Sequence, residues 1–191
     1  TLRKQLTVID QQITHLQLIR KRLAHRCEQM ENVKELHEMA QEVFVKEVSK
    51  KYFLYAEVEE PRSFREISIA TKKCFSQALK EELPIFFQTG VSVPYRHVLE
   101  GRYTEAKVAF LPIEKTKKAK HIGTLPKGKV VSIYHYGTYQ SVERSYKKLL
   151  KFCEENRLEI ASDAYEFCIN DYISSGDENE YITEIFFYVH E

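Results

Sequence analysis

The chain is 191 residues long and 43% hydrophobic, with 29 basic and 28 acidic side chains leaving a formal charge of +1. That length can bury a sizeable core, enough for one globular domain plus an extension. The near-zero balance excludes a surface built chiefly for nucleic acid, which would concentrate basic residues.

No apolar run approaches the roughly 18 residues of a membrane span, and no signal peptide opens the chain, so a soluble cytoplasmic protein with no membrane contact is expected. Thr1 already lies inside a helical pattern, so a fragment or processed chain is expected, with material missing before it. Cys27, Cys74, Cys153 and Cys168 are widely spaced, each on an apolar stripe. That arrangement favours reduced buried thiols over zinc ligands or disulfides. The 12 Tyr and 11 Phe with no Trp suit β-strands and equally a pocket that stacks on flat organic ligands.

From the N-terminus, Leu2, Leu6, Ile9, Ile13, Leu16, Arg20, Leu23, Cys27 and Met30 follow a 4-3-4-3 spacing over about four heptads, the repeat of a coiled-coil seam. Arg20 breaks the stripe, and a polar core residue can fix register and orientation at some cost in stability. The narrow stripe and polar flanks (Gln11, Gln12, Arg22, Gln29) favour an intermolecular seam, the alternative being a helix packed on its own domain. The pattern blurs after Met30, with a bend or end near Glu42.

Val43–Val58 reads as a transition into a strand centred on Tyr52–Tyr55. Ser63 and Glu66 form an S-x-x-E capping box in which each side chain satisfies a free amide. The helix they open carries Ile67, Ala70, Thr71, Cys74, Phe75, Ala78 and Leu79 on one face and stops before Pro84. Ile85–Val93 is strand-like, with Gly90 marking a bulge or close approach. Pro94–Tyr103 reads as loop and Glu105–Ile113 as strand. Lys115, Lys117, Lys118 and Lys120 then read as a solvated linker, since no aromatic alternates with them as a nucleic-acid contact would require.

Beyond the lysines the pattern returns. Lys127–Gly137 is a strand, and a helix starting near Thr138 places Val142, Tyr146, Leu149, Leu150 and Cys153 on one face. Asp163–Asp171 and Tyr181–His190 are strands, with turn residues Ser174–Asp177 between them. Residues 51–113 and 127–190 thus state strand, helix, strand, strand twice. Two copies are too few for a solenoid. They predict one pseudo-symmetric domain, residues 43–191, with a cleft between its halves, preceded by a dimerisation helix over residues 1–42.

Enzyme motifs are absent: no phosphate-binding loop, no G-x-S-x-G, no H-E-x-x-H. The seven histidines show no metal-ligand spacing, so no metal, cofactor or catalytic residue is expected. His135 reads as a satisfied core or cleft histidine. On Ala164–Asp171, alternation puts Ala164, Glu166, Cys168 and Asn170 on one face; on Tyr181–Tyr188, Glu184 shares a face with Ile182, Phe186 and Tyr188. Each strand carries a lone carboxylate among apolar neighbours, which is costly unless compensated. An edge strand, or an ion pair to Arg144 or Arg157, would explain it. So would a ligand cation, with tyrosine and phenylalanine rings adding cation–π attraction.

The heptad helix followed by the doubled unit resembles the C-terminal part of MerR-family multidrug-sensing transcription activators, whose effector modules are called GyrI-like. Val130–Gly137 leading into Tyr139, Tyr146 and Leu149, then Tyr165-Glu166-Phe167, then Tyr181-Ile182-Thr183-Glu184-Ile185, are similar to that family's strand-glycine-tyrosine-helix, Tyr-Glu-apolar strand and closing strand. The resemblance implies an α+β fold with an antiparallel sheet behind an antiparallel dimeric coiled coil. It implies a pocket glutamate at Glu166 that attracts lipophilic cations, with Cys168 and Tyr181 beside it. Glu184 ranks lower because it faces away from Tyr181, and Tyr55 is the candidate aromatic of the first half. The implied partners are a second copy through the N-terminal helix, a hydrophobic cationic effector, and DNA through an N-terminal domain absent from this chain. Some GyrI-like domains hydrolyse small electrophilic compounds, which is the alternative activity.

Overall fold

The computed structural model describes residues 1–31, 42–83, 85–86, 88–115, 122–172 and 175–190. Among the sequence expectations, the blurred end of the first helix, Pro84, Lys117, Lys118, Lys120 and Ser174 lie outside the described residues.

Helix α1 (Leu2–Glu31) precedes β1 (Val43–Val48), β2 (Lys51–Glu57), α2 (Phe64–Lys80), β3 (Gly90–Val93), α3 (Tyr95–Leu99) and β4 (Val108–Ile113). Then come β5 (Ile122–Leu125), β6 (Gly128–Tyr136), a 3-10 turn at Tyr139–Ser141, α4 (Glu143–Glu155), β7 (Glu159–Ile160), β8 (Ala164–Asn170) and β9 (Ile182–His190). The strands form one antiparallel sheet in the order β1-β6-β9-β8-β3-β4-β2-β5, with β7 paired to β9.

The doubled pattern becomes two like halves, β2-α2-β3-β4 and β6-α4-β8-β9, joined where β3 pairs with β8. Each half also lends a strand to the other. β1, just before β2, pairs with β6, whereas β5, just before β6, pairs with β2.

This exchange forces the sheet to curl. β1 and β2 stand six places apart in the strand order, about 29 Å in a flat sheet at 4.8 Å per strand. Yet only Ser49 and Lys50 connect them, a reach of about 10 Å.

The curl gives the sheet two different faces. Tyr146 and Leu149 of α4 pack on Val131, Ile133, Ile185 and Phe187 of the sheet; Cys74 and Ala78 of α2 pack on Leu54, Leu111 and Ile113. Inside the curl the aromatics Phe110, Phe167, Phe186 and Tyr188 pack with Val48, Leu125 and Val130, contributed by both halves.

Several local expectations change. β1 is a strand of its own: it pairs with β6, whereas β2, beyond Ser49 and Lys50, pairs with β4 and β5. Within Ile85–Val93, of which Phe87 lies outside the described residues, the strand covers Gly90–Val93 and Ile85 bridges to Ile113, and Pro94–Tyr103 contains α3. Ser63 caps α2 by accepting from the Arg65 N–H, and Glu66 takes both the Ser63 hydroxyl and the Ser63 backbone amide. Leu79 turns outward, 75% exposed. Cys74 and Cys153 are buried as expected, while Cys27 is exposed on α1.

Candidate functional site

On the helix side, over the β3–β8 seam, a cavity of about 350 Å³ opens between α2 and the Tyr139–Ser141 turn. Helix α2 supplies Phe64, Ile67 and Thr71; the seam supplies Thr89, Val91, Glu166 and Cys168; the opposite wall carries Tyr103, Tyr139 and Tyr181. Glu178 and the exposed Tyr172 also line it.

Strand alternation aims Glu166 at the helices, and its register neighbours are Val91 on β3 and Ile185 on β9. Its carboxyl is therefore flanked by hydrocarbon and only 6% exposed. Among the described residues the carboxyl finds one side-chain hydrogen bond: Tyr146 of α4 donates from its hydroxyl to Glu166 Oε1 at 2.5 Å. Burial pushes the Glu166 carboxyl up to about 7, with the Tyr146 bond pulling the other way. The Tyr146 hydroxyl rises well above its ordinary value through burial and the adjacent carboxyl.

Tyr146 is held by its own ring contacts. It stacks on Tyr103 at 5.2 Å between centroids and meets Phe187 edge-on at 6.2 Å. A mobile donor would leave a buried carboxylate unpaired; this one has nowhere to go. Gly90 is the backbone counterpart, since a Cβ there would strike the Phe110 ring and come within 2.6 Å of the Glu166 carbonyl oxygen.

The second wall centres on Tyr139. Its ring lies 5.6 Å from Tyr181 and 6.3 Å from Phe64, and its hydroxyl is 3.7 Å from Cys168 Sγ. Burial pushes the Cys168 thiol up to about 11, so it stays protonated and acts as a soft apolar wall. His135 anchors the turn that presents Tyr139. Its Nδ1 is 2.8 Å from Ser145 Oγ, and its Nε2 is 3.1 Å from both Ser141 Oγ and the Thr138 carbonyl. Burial lowers its pKa, so a neutral ring is favoured.

A concave site with one deep carboxyl and aromatic walls is built to hold a small apolar molecule. Residues 41–190 match the family described as the GyrI-like small molecule binding domain.

The chain belongs to this family.

No curated relative matches the chain. The GyrI-like fold recurs in solved structures of low sequence identity. The EcmrR C-terminal domain superposes with a TM-score of 0.65 at 18% identity, covering 78% of this chain and 98% of that one. EcmrR in its DNA complex gives 0.65 and 18% over 96% of this chain and 69% of that chain. A hydrolase encoded by lin2189 from Listeria innocua gives 0.54 at 11% identity, covering 82% and 96%. SAV2435 bound to tetraphenylphosphonium gives 0.51 at 13%, covering 78% and 94%. At these identities the likeness shows the fold alone.

Of the five candidate residues, Glu166, Cys168 and Tyr181 come together in the GyrI-like cavity. Glu184 lies on the opposite face of the sheet, paired with Lys46 of β1 and accepting from Ser132 Oγ at 2.9 Å. Alternation puts it there, one residue out of phase with Tyr181. Tyr55 is 40% exposed and packs on Phe53 at 6.2 Å, away from the cavity. Arg144 donates to the Tyr136 carbonyl rather than to a carboxylate, and β8 is an inner strand between β9 and β3. Neither an edge position nor an arginine therefore accounts for Glu166.

Several lining residues have no counterpart in the sequence reading, among them Tyr103, Phe64 and Glu178. Tyr103 ends a segment read as loop, Phe64 sits at a helix start, and Glu178 lies in a polar turn. None has a periodic signal. Among the described residues, no group of three His, Cys, Asp or Glu could hold a metal ion, and no helix is long and apolar enough to cross a membrane.

Proposed function

We propose that this chain is the ligand-sensing and dimerisation part of a MerR-type cytoplasmic transcription regulator, and that its Glu166 cavity takes a lipophilic cation. The observation that carries this is the buried Glu166 carboxyl, held by one neutral hydroxyl at the base of an aromatic-walled cavity. One neutral donor compensates an ionised carboxylate poorly. A ligand cation supplies the missing charge, and ring faces such as Tyr139 and Tyr181 add cation–π attraction. The likeness to EcmrR, alone and in its DNA complex, and to SAV2435 with tetraphenylphosphonium supports the reading at the level of fold.

Helix α1 supports the dimer. Leu2, Leu6, Ile9, Ile13, Leu16 and Leu23 leave between 47% and 80% of their area exposed, and their heptad spacing suits a seam with a second copy. Effector binding would then act by favouring one of two dimer arrangements, through differential affinity for them. The DNA-reading domain would lie beyond Thr1.

The test is titration of tetraphenylphosphonium against wild type and Glu166→Gln. The variant keeps the shape and loses the charge, so affinity falls by about tenfold or more. Equal affinity removes the cation site.

A second reading has one observation in its favour. A carboxyl raised to about 7 is poised as a general base for water attacking a small electrophile, and a Listeria innocua hydrolase shares the fold. Turnover that survives purification and disappears in Glu166→Gln would favour it over sensing.

A further inference from the structure

A second cavity, of about 390 Å³, opens at the end of the sheet where β2 begins and β4 runs out. It shares no lining residue with the cavity over Glu166, so a ligand here is independent of the role of that site.

Three lysines, Lys50, Lys51 and Lys115, face this volume with one carboxylate, Glu114. No carboxylate among the described residues forms an ion pair with any of the three. Two of the ammoniums turn to aromatic rings instead: Lys50 Nζ lies 5.4 Å from the Tyr52 centroid and Lys51 Nζ lies 4.8 Å from that of Phe167. Lys51 retains much of its accessible area, yet partial burial lowers its pKa, with Glu184 opposing the fall and Lys46 adding to it.

The floor is apolar, with Pro112 and Ile113 both buried. Gln88 also lines the cavity at 8% exposure and has no side-chain hydrogen-bond partner among the described residues. The residue is largely buried, yet its amide atoms are not among the enclosed ones, so they are open from the cavity to a partner from outside the chain. Three lysines lining one cavity, an apolar floor and an amide without a protein partner are complementary to one kind of molecule.

We propose that this cavity binds a small organic anion, a flat apolar body bearing a carboxylate, held by Lys50, Lys51 and Lys115 with Gln88 bonding its polar edge. The volume falls in the range of small-molecule sites. A nucleic acid would need a longer basic stripe, and the formal charge of the chain is only +1.

The experiment is calorimetric titration of naphthalene-1-carboxylate into the full chain at low salt. Saturable one-to-one binding is expected, weakening with added salt. Lys51→Gln, Lys50→Gln and Lys115→Gln each weaken it by about five- to tenfold. The neutral naphthalene-1-carboxamide binds about tenfold more weakly or worse. The lysines are exposed, so the variants keep the fold, which their thermal melts check.

Equal affinity for carboxylate and carboxamide overturns the proposal, as does wild-type affinity in all three lysine variants. Binding that falls in Glu166→Gln and not in Lys51→Gln places the anion in the other cavity and also overturns it. Displacement of the naphthoate by a tighter-binding single-stranded oligonucleotide assigns the lysines to nucleic acid instead.

Discussion

The hydroxyl of Tyr146 and the carboxyl of Glu166 meet at 2.5 Å beneath the cavity, and each arrives by a different periodicity. Helical spacing on α4 turns Tyr146 down onto the sheet; two-residue alternation on β8 turns Glu166 up to meet it. One bond thus ties the second half's helix to its strand at the point where the cavity holds its deepest charge.

Tyr146→Phe tests that bond. The ring keeps its stacking on Tyr103, but the carboxyl loses its donor. The variant should lose roughly 1–3 kcal/mol of stability, measured by urea denaturation. Because the Tyr146 bond lowers the Glu166 pKa, its loss moves the carboxyl above about 7. Tetraphenylphosphonium affinity should fall at neutral pH and recover at about pH 9, where the carboxyl is again ionised.

Glu166 and His135 give stability opposite pH slopes. The folded chain keeps the Glu166 proton up to about 7 while the unfolded chain releases it near 4.5, so this contribution declines as pH rises through that window. Glu166→Gln removes the penalty and should be more stable than wild type by roughly 3 kcal/mol at about pH 8, the two converging at about pH 4. For His135, whose pKa burial lowers from 6.5, the unfolded chain takes up the proton more readily, so stability declines as pH falls below that value. Denaturation across a pH series separates the two, with only the alkaline difference removed in Glu166→Gln.

The α1 stripe predicts assembly. Wild type should sediment as a dimer at micromolar concentration, and Ile9→Asp with Ile13→Asp as a monomer with an unchanged near-ultraviolet dichroism spectrum. The two isoleucines, 48% and 47% exposed, contribute nothing to the core of the single chain. A wild-type monomer would count against the seam.

Gly90→Ala should be costly despite adding only one methyl group. Its Cβ would strike the Phe110 ring and sit 2.6 Å from the Glu166 carbonyl oxygen, and a backbone oxygen in a paired strand cannot retreat. A loss of about 3 kcal/mol, read from the urea midpoint, is expected, together with weakened cation binding as β8 shifts.

The sequence carried the doubled strand-helix-strand-strand order, the Glu166–Cys168 face and the Gly90 close approach, because each rests on a short-range period or a backbone need. It did not carry the exchange of β1 and β5 between halves, since pairing partners such as Val45 and Val131 are remote in the chain. Ile122–Leu125 is short and contains Gly123, so β5 left no alternating pattern beside the lysines. Tyr146 was legible as a core residue but not as the partner of Glu166, a relation that only the packing of α4 on the sheet creates. The charge of Glu184 was equally legible; its remoteness from the cavity follows from one residue of phase.

The most direct measurement of the central claim is the number of protons released when tetraphenylphosphonium binds, obtained by calorimetry at pH 7 in buffers of different ionisation enthalpy. With the Glu166 carboxyl at about 7, roughly half the sites are protonated, and a cation that needs the ionised form expels about half a proton per molecule bound. Glu166→Gln should release none. Tight binding with no proton release in wild type, or the same release in the variant, would contradict a cation held by the Glu166 carboxylate.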